Sequence, residues 1–236
     1  MSIQRDGRPR SRITTRGQYR GPGGLGTGRI GDSMDSEGKT DTSPRDTADG
    51  AGHESVVLVD SDDNDVGTCE KLEAHRGDGL RHRAFSVFLL DAEGRQLLQQ
   101  RAETKYHFGG LWTNACCSHP RLGETPADAA RRRLVEELGI HGVDMVHAGS
   151  FEYRARDSES RLIEHEIDHV FVGTLDASGD GSRTRTIIEP NPDEVMAFRW
   201  VTRAELDGEL GASPERFTPW FPIALKHARG LRPDAL

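Results

Sequence analysis

The sequence predicts an α+β domain in which a mixed sheet is layered with helices, in the manner of a three-layer α/β/α sandwich. Two observations carry this. Apolar runs of strand length recur between Ser55 and Val201, bounded by turn-forming residues. Among them stand a capped helical segment after Thr125 and a closing helical stretch near the carboxyl end. Strands interleaved with helices bury a sheet between layers, and no internal repeat points to a solenoid.

Each element has its own signal. Ser55-Val-Val-Leu-Val-Asp60 is a first strand, ended by the turn-rich Ser-Asp-Asp-Asn-Asp segment. Ala84–Asp91 and Gln96–Arg101 form a hairpin across Ala-Glu-Gly-Arg. A loop of aromatics and glycines follows, from Tyr106 to Trp112. Thr125 is placed to cap a helix with Pro126 in its first turn, and Gly139 ends it. Further strands are expected at Ser150–Tyr153, Ile163–Leu175 and Val195–Val201, and the closing helix from about Pro214 to Arg229.

Residues 1–54 are rich in Gly, Ser, Thr, Asp and Arg without apolar periodicity. Such a composition buries too little to offset its ordering entropy, so the segment reads as a disordered tail, with 55–236 as the single folded domain. A basic interaction arm, or a true start at Met34, are the other readings of the tail.

Composition narrows the function classes. Hydrophobic residues make up 34% of the chain and mean hydropathy is −0.66. No apolar run approaches the ~20 residues of a membrane-spanning helix, and no apolar segment follows the amino-terminal arginines as in a secretory signal. Three cysteines, two of them adjacent, make no disulfide framework, and a reducing, cytoplasmic setting fits. Residues 1–33 carry seven arginines against two aspartates, so the other 203 residues hold −13 of a chain whose net charge is −8. An acidic body disfavours nucleic acid and anionic membranes as partners, and is compatible with a salt-rich cytoplasm.

The helix after Thr125 carries the chemistry. Glu124, Arg132, Leu134, Glu136, Glu137, Gly139 and Ile140 fit the spacing G-x5-E-x7-R-E-U-x-E-E-x-G-U, where U is aliphatic. The chain therefore resembles the Nudix family. It departs at Ser118, where the pattern has glycine, and at Arg133, where it has the first helical glutamate. Nudix hydrolases hold magnesium with that glutamate cluster. An arginine in it removes a ligand and adds a repelling charge, but its planar fork suits a diphosphate.

Immediately before lies Trp112-Thr-Asn-Ala-Cys-Cys-Ser-His-Pro120, which resembles the W-T-N-x-x-C-x-H-P signature of the type 1 isopentenyl-diphosphate isomerases, a Nudix branch. Further landmarks follow family order: Leu72–His75 with His82–Ser86, Glu164-His-Glu166, Asp193–Met196 and Phe217–Trp220. The resemblance spans roughly residues 55–225. It implies a Nudix-type sandwich that interconverts isopentenyl and dimethylallyl diphosphate in isoprenoid precursor biosynthesis.

The resemblance also implies roles. His75, His82, His119, Glu164 and Glu166 would hold Zn²⁺ or Mn²⁺, and three imidazoles with two carboxylates suit such an ion. Glu137, with the backbone carbonyl of Cys117, would hold Mg²⁺ against the substrate diphosphate. Lys71, Arg101, Lys105 and Arg133 would complete the anion pocket. Cys117 and Glu166 would transfer protons on opposite faces of the alkene, with Tyr153 supporting Glu166 and Trp220 presenting its π-face to the developing cation. From the residues alone, Glu164, Glu166 and Asp168 share one face of a strand, and Cys116 points away from Cys117. Trp112 is expected to wall the pocket, and Tyr153 reads equally as a packed strand aromatic. The implied partner is a small allylic diphosphate, and a monomer is the default. A Nudix hydrolase would need the glutamate cluster intact. A non-catalytic binding module would be expected to have lost some of these groups.

Overall fold

The computed structural model describes residues 54–175, 186–234 and 236. They fall in one compact unit, Asp49–Leu236. The tail expected over residues 1–54 lies, apart from Glu54, outside the described residues.

Among the described residues, nine strands make one sheet: β1 Ser55–Val59, β2 Asp65–Glu70, β3 His82–Leu90, β4 Gln96–Arg101, β5 Trp112–Thr113, β6 Cys116–Ser118, β7 Met145–Arg156, β8 Ile163–Thr174 and β9 Val195–Val201. The helices are α1 Lys71–Ala74, α2 Pro126–Leu138, α3 Arg203–Ala212 and α4 Phe221–Leu231. β3 is the hub. It runs parallel to β8 from His82 opposite Glu166 to Leu90 opposite Thr174. Along its other edge it meets β1, then β6, then β4.

The composition of β3 explains that position. It is buried on both faces and mostly apolar, as suits a central strand. Phe85, Val87 and Leu89 pack toward Ala130, Leu134 and Leu138 of α2. Phe88 and Leu90 pack toward Leu206 of α3 and Phe221, Ala224 and Leu225 of α4. Helices on both faces make the expected sandwich.

α2 is capped as expected. Thr125 Oγ1 accepts from the Asp128 amide at 3.1 Å. Gly139 closes the helix at φ 67°, and a Cβ there would meet Glu189 Cβ at 3.1 Å. The hairpin turn holds through Asp91, whose carboxylate accepts from the amides of Glu93 and Arg95 at 3.1 and 2.7 Å.

Five elements differ from expectation. β2 and β6 form where no element was assigned, β2 because its backbone pairs with β1 although its side chains are mostly exposed. β7 extends far beyond Ser150–Tyr153, paired with β8 from Met145 to Arg156. α3 fills a stretch without an assigned element. The closing helix divides into a 3-10 turn, Pro214–Arg216, and α4, because Phe217–Trp220 leaves helical geometry to reach β5, where the Thr218 amide donates to Trp112 O at 3.0 Å.

Candidate active site

Five side chains from four parts of the fold converge. They are His75 at the end of α1, His82 opening β3, His119 after β6, and Glu164 and Glu166 of β8. One donor atom from each lies within 4.8 Å of all the others. Strand alternation puts both glutamates on one face, and the β3–β8 register sets His82 beside Glu166. His75 Nδ1 lies 2.6 Å from Lys71 O and His82 Nδ1 lies 2.7 Å from Leu80 O. Those carbonyls take the Nδ1 protons and leave Nε2 lone pairs turned inward. His75 Nε2 then faces Glu164 Oε2 at 2.9 Å, and His82 Nε2 faces His119 Nε2 at 3.2 Å. Burial pulls His119 down to about 3, so its imidazole is neutral. Three imidazoles and two carboxylates gathered this closely make a donor set that fits a divalent metal.

The proposed proton-transfer groups flank the same cavity. Cys117 pairs across strands with Ser86, and its Sγ lies 3.8 Å from Arg101 Nη1. Burial pushes its thiol up to about 12 against the pull of Arg101. Tyr153 sits opposite Glu166 in the β7–β8 register and donates its hydroxyl to Glu166 Oε2 at 2.5 Å. Burial and the Glu164 charge push Glu166 upward, but the His119 and His82 imidazoles beside it outweigh them and hold it below the ordinary glutamate value. Cys116 is buried in the core under α2, on the other side of the strand from Cys117.

A basic group borders this cavity. Lys71, Arg101, Lys105 and Arg133 all line it. Each already has partners. Arg133 donates to Glu137 Oε1 at 2.7 and 3.0 Å and pairs with Glu194 at 3.0 Å. Lys105 also pairs with Glu194, and Lys71 with Glu54 at 2.7 Å. Glu137 stands behind the lining, kept ionised despite burial by Arg133 and Lys105. Trp220 lines the cavity beside Tyr153, with Arg101 over its ring at 5.4 Å and the edge of Phe108 against it. Trp112 is not a wall of the pocket, contrary to expectation. It packs in the α4-side core under Arg199, 4.4 Å over its ring.

Comparison with known proteins decides the family. The family model of the NUDIX domain matches residues 80–221. The isopentenyl-diphosphate Delta-isomerase of Photobacterium profundum is 49% identical over 178 residues, 74% of this chain and 93% of that protein. Proteins of the same name from Nocardia farcinica and Serratia proteamaculans are 47% and 44% identical, each over 73% of this chain and 93% and 90% of their own. The chain belongs to the isopentenyl-diphosphate Delta-isomerases of the NUDIX family. A Deinococcus radiodurans crystal structure, 22% identical, superposes with TM-score 0.56 over 75% of this chain and 98% of its own, a likeness of fold.

As a member of the isomerase family, the chain keeps Glu124 and Arg132 of the box and departs from it at Arg133. Arg132 clasps Glu124 with two bonds of 2.8 Å and reaches Glu136 at 3.1 Å, tying the loop before α2 to the helix. Arg133, in place of a glutamate, neutralises Glu137 instead of adding a ligand. Sequence reasoning missed three residues of the site. His107 contacts Glu164, and Ser86 donates to Asp168 Oδ2 at 2.7 Å. Asp168 was placed on the right face without a partner, and burial together with the Glu166 charge raises its carboxyl well above the usual range. Gln99 is the third, bridging Ala115 O at 2.9 Å and Glu137 Oε2 at 3.1 Å. Of these and their partners, Asp168 alone had a signal, the alternation of Glu164, Glu166 and Asp168 along the sequence. His107 lies in a loop whose course no periodicity reveals.

Proposed function

We propose that the chain interconverts isopentenyl and dimethylallyl diphosphate by moving protons on opposite faces of the alkene, in isoprenoid precursor biosynthesis. The observation that carries this is the pairing, around one cavity, of Cys117 with the Tyr153–Glu166 couple, beside cations suited to a diphosphate. Protonating the alkene at C4 makes a tertiary cation at C3, and removing a proton from C2 forms the new double bond. One of Cys117 and Glu166 gives the proton to C4 and the other takes it from C2. The roles exchange in the reverse direction. Tyr153 holds Glu166 through its hydroxyl. The Trp220 π-face opposes the positive charge at C3, and its burial keeps water from that cation. Arg101, Lys105, Arg133 and Lys71 bind and orient the diphosphate, exchanging acidic partners such as Glu194 for substrate oxygens.

His75, His82, His119, Glu164 and Glu166 would hold Zn²⁺ or Mn²⁺. Glu137 with the Cys117 carbonyl would hold Mg²⁺ shared with the diphosphate. Bound there, the metals would supply fixed positive charge that sets the protonation of Glu166 and neutralises the leaving-prone diphosphate. The free state of Cys69, Cys116 and Cys117 supports work in a reducing, cytoplasmic compartment.

Incubation with isopentenyl diphosphate and Mg²⁺ in D₂O, followed by proton NMR, tests the reading. Deuterated dimethylallyl diphosphate is expected, and none with Cys117→Ala. Release of phosphate without isomerisation would return the chain to hydrolysis.

A further inference from the structure

His107 stands outside the five-residue cluster but touches it at one atom. Its Nε2 contacts Glu164 Oε1, while the other carboxylate oxygen, Oε2, faces His75 Nε2 at 2.9 Å. The ring is 6% exposed, and its Nδ1 is buried with no partner. A proton on Nδ1 would therefore have no acceptor, whereas a proton on Nε2 has Glu164 Oε1. The satisfied arrangement is a neutral imidazole donating from Nε2.

The backbone holds this ring in place from both sides. Arg101 Nη2 donates to His107 O at 3.2 Å and Arg101 Nε to Phe108 O at 3.1 Å. The Phe108 amide donates to Asp157 Oδ2 at 3.2 Å. Phe108 sits at φ 50°, a left-handed conformation costly for a phenylalanine and kept by those bonds. Tyr106 packs on the other side of the imidazole, ring centroids 4.4 Å apart. A side chain fixed this firmly, whose one polar contact is a carboxylate of the metal cluster, has a positioning geometry.

We propose that His107 is a positioning residue for the His/Glu metal centre: by donating to Glu164 Oε1 it fixes the carboxylate so that Oε2 alone is presented to the ion. This rests on the reading of His75, His82, His119, Glu164 and Glu166 as a metal site. Partners of this kind orient the ligand, and their loss typically costs about 10- to 100-fold in metal affinity.

The test uses the full chain, stripped with a chelator and titrated with Mn²⁺ alone while free Mn²⁺ is read by electron paramagnetic resonance. His107→Leu is expected to weaken binding about 10- to 100-fold. His107→Gln, whose amide nitrogen can occupy the place of Nε2, is expected to stay within a few-fold of wild type. His107→Asn, too short to reach, is expected to follow the leucine variant. Electron spin echo spectra should give the same number of coupled imidazole nitrogens in wild type and His107→Leu. Unchanged affinity in His107→Leu, or glutamine no better than asparagine, overturns the proposal. So does a lost nitrogen coupling, which would make His107 a direct ligand. The glutamine–asparagine comparison stands even if the leucine variant folds poorly. A wild type that binds no Mn²⁺ overturns the metal-site reading and the proposal together, whereas tight wild-type binding with an unaffected leucine variant overturns the proposal alone.

Discussion

Tyr153 has two readings in the sequence, a core aromatic and a hydrogen-bonding partner of an acid, and it is both. Its ring packs with Phe108 and Trp220, and its hydroxyl reaches Glu166 because β7 and β8 set the two residues opposite each other. Packing and chemistry should therefore separate on mutation. Tyr153→Phe keeps the ring and loses only the bond to Glu166, so kcat should fall with little change in KM or thermal stability. Glu166→Gln removes an acid/base group itself, and its kcat should fall further, by about 10²–10⁴-fold. Steady-state kinetics on both variants, with melting curves as controls, checks the order. Equal losses would mean that Tyr153 acts directly on substrate. Arg133 belongs to a different class. Its guanidinium holds Glu137 and Glu194 and also faces the cavity, so Arg133→Gln should raise KM for the diphosphate more than it lowers kcat.

At the scale of elements, α2 and the loop before it are joined by Arg132 and Glu124. Glu124 is held below the ordinary glutamate range, first by the Arg132 hydrogen bonds and then, against partial burial, by the Arg121 amide. A depressed folded-state value contributes stability that is present above the unfolded value and is lost as pH falls through the folded one. Glu124→Gln should therefore destabilise the domain by about 1–2 kcal/mol at pH 7. The gap should close on acidification below the ordinary glutamate range. Urea unfolding at several pH values tests this, and a gap independent of pH would place the clasp's contribution outside the charge. The same element was the most legible in the sequence, because a threonine cap, Pro126 and Gly139 are local signals that tertiary context did not override. α3 had such a signal too, since Thr202 and Glu205 form a reciprocal capping box, but weak amphipathicity hid the helix behind it. β2 was not legible for a physical reason: it is an exposed edge strand held by backbone bonds to β1, with no apolar alternation to read. The metal-type cluster was legible only by resemblance. Its histidines lie on separate elements, and spacing alone says nothing about α1 folding back against β8.

Across the whole domain, the His/Glu cluster joins parts of the chain that local contacts hold weakly together. His75 ends a four-residue helix, His119 follows a three-residue strand, and the glutamates lie on β8, nearly ninety positions after His75. Among the described residues, those short elements make few pairings of their own: β6 meets β3 at three register positions, and α1 is a single turn. The α2-side and α4-side cores draw on β3 and β8 as well, but their packed side chains are apolar and none belongs to the cluster. A bound divalent ion would therefore stabilise the folded state by mass action, about 2.7 kcal/mol at a hundredfold excess over its dissociation constant. For a chain of this size that corresponds to roughly 5–11 °C in Tm. Removing metal with a chelator should lower Tm by that order, and adding Mn²⁺ or Zn²⁺ back should restore it in a concentration-dependent way. The loss should also be local. Amide exchange should speed most around His75, His82 and His119, while Leu134 of α2 and Leu225 of α4 keep their protection, because their burial does not depend on the ion. Calorimetry with and without chelator, joined to exchange measurements, tests both. A Tm indifferent to chelation would mean that the acceptors facing one another are reconciled by protons rather than by a metal. Uniform loss of protection would mean that the cluster closes the entire core rather than one corner of the sheet.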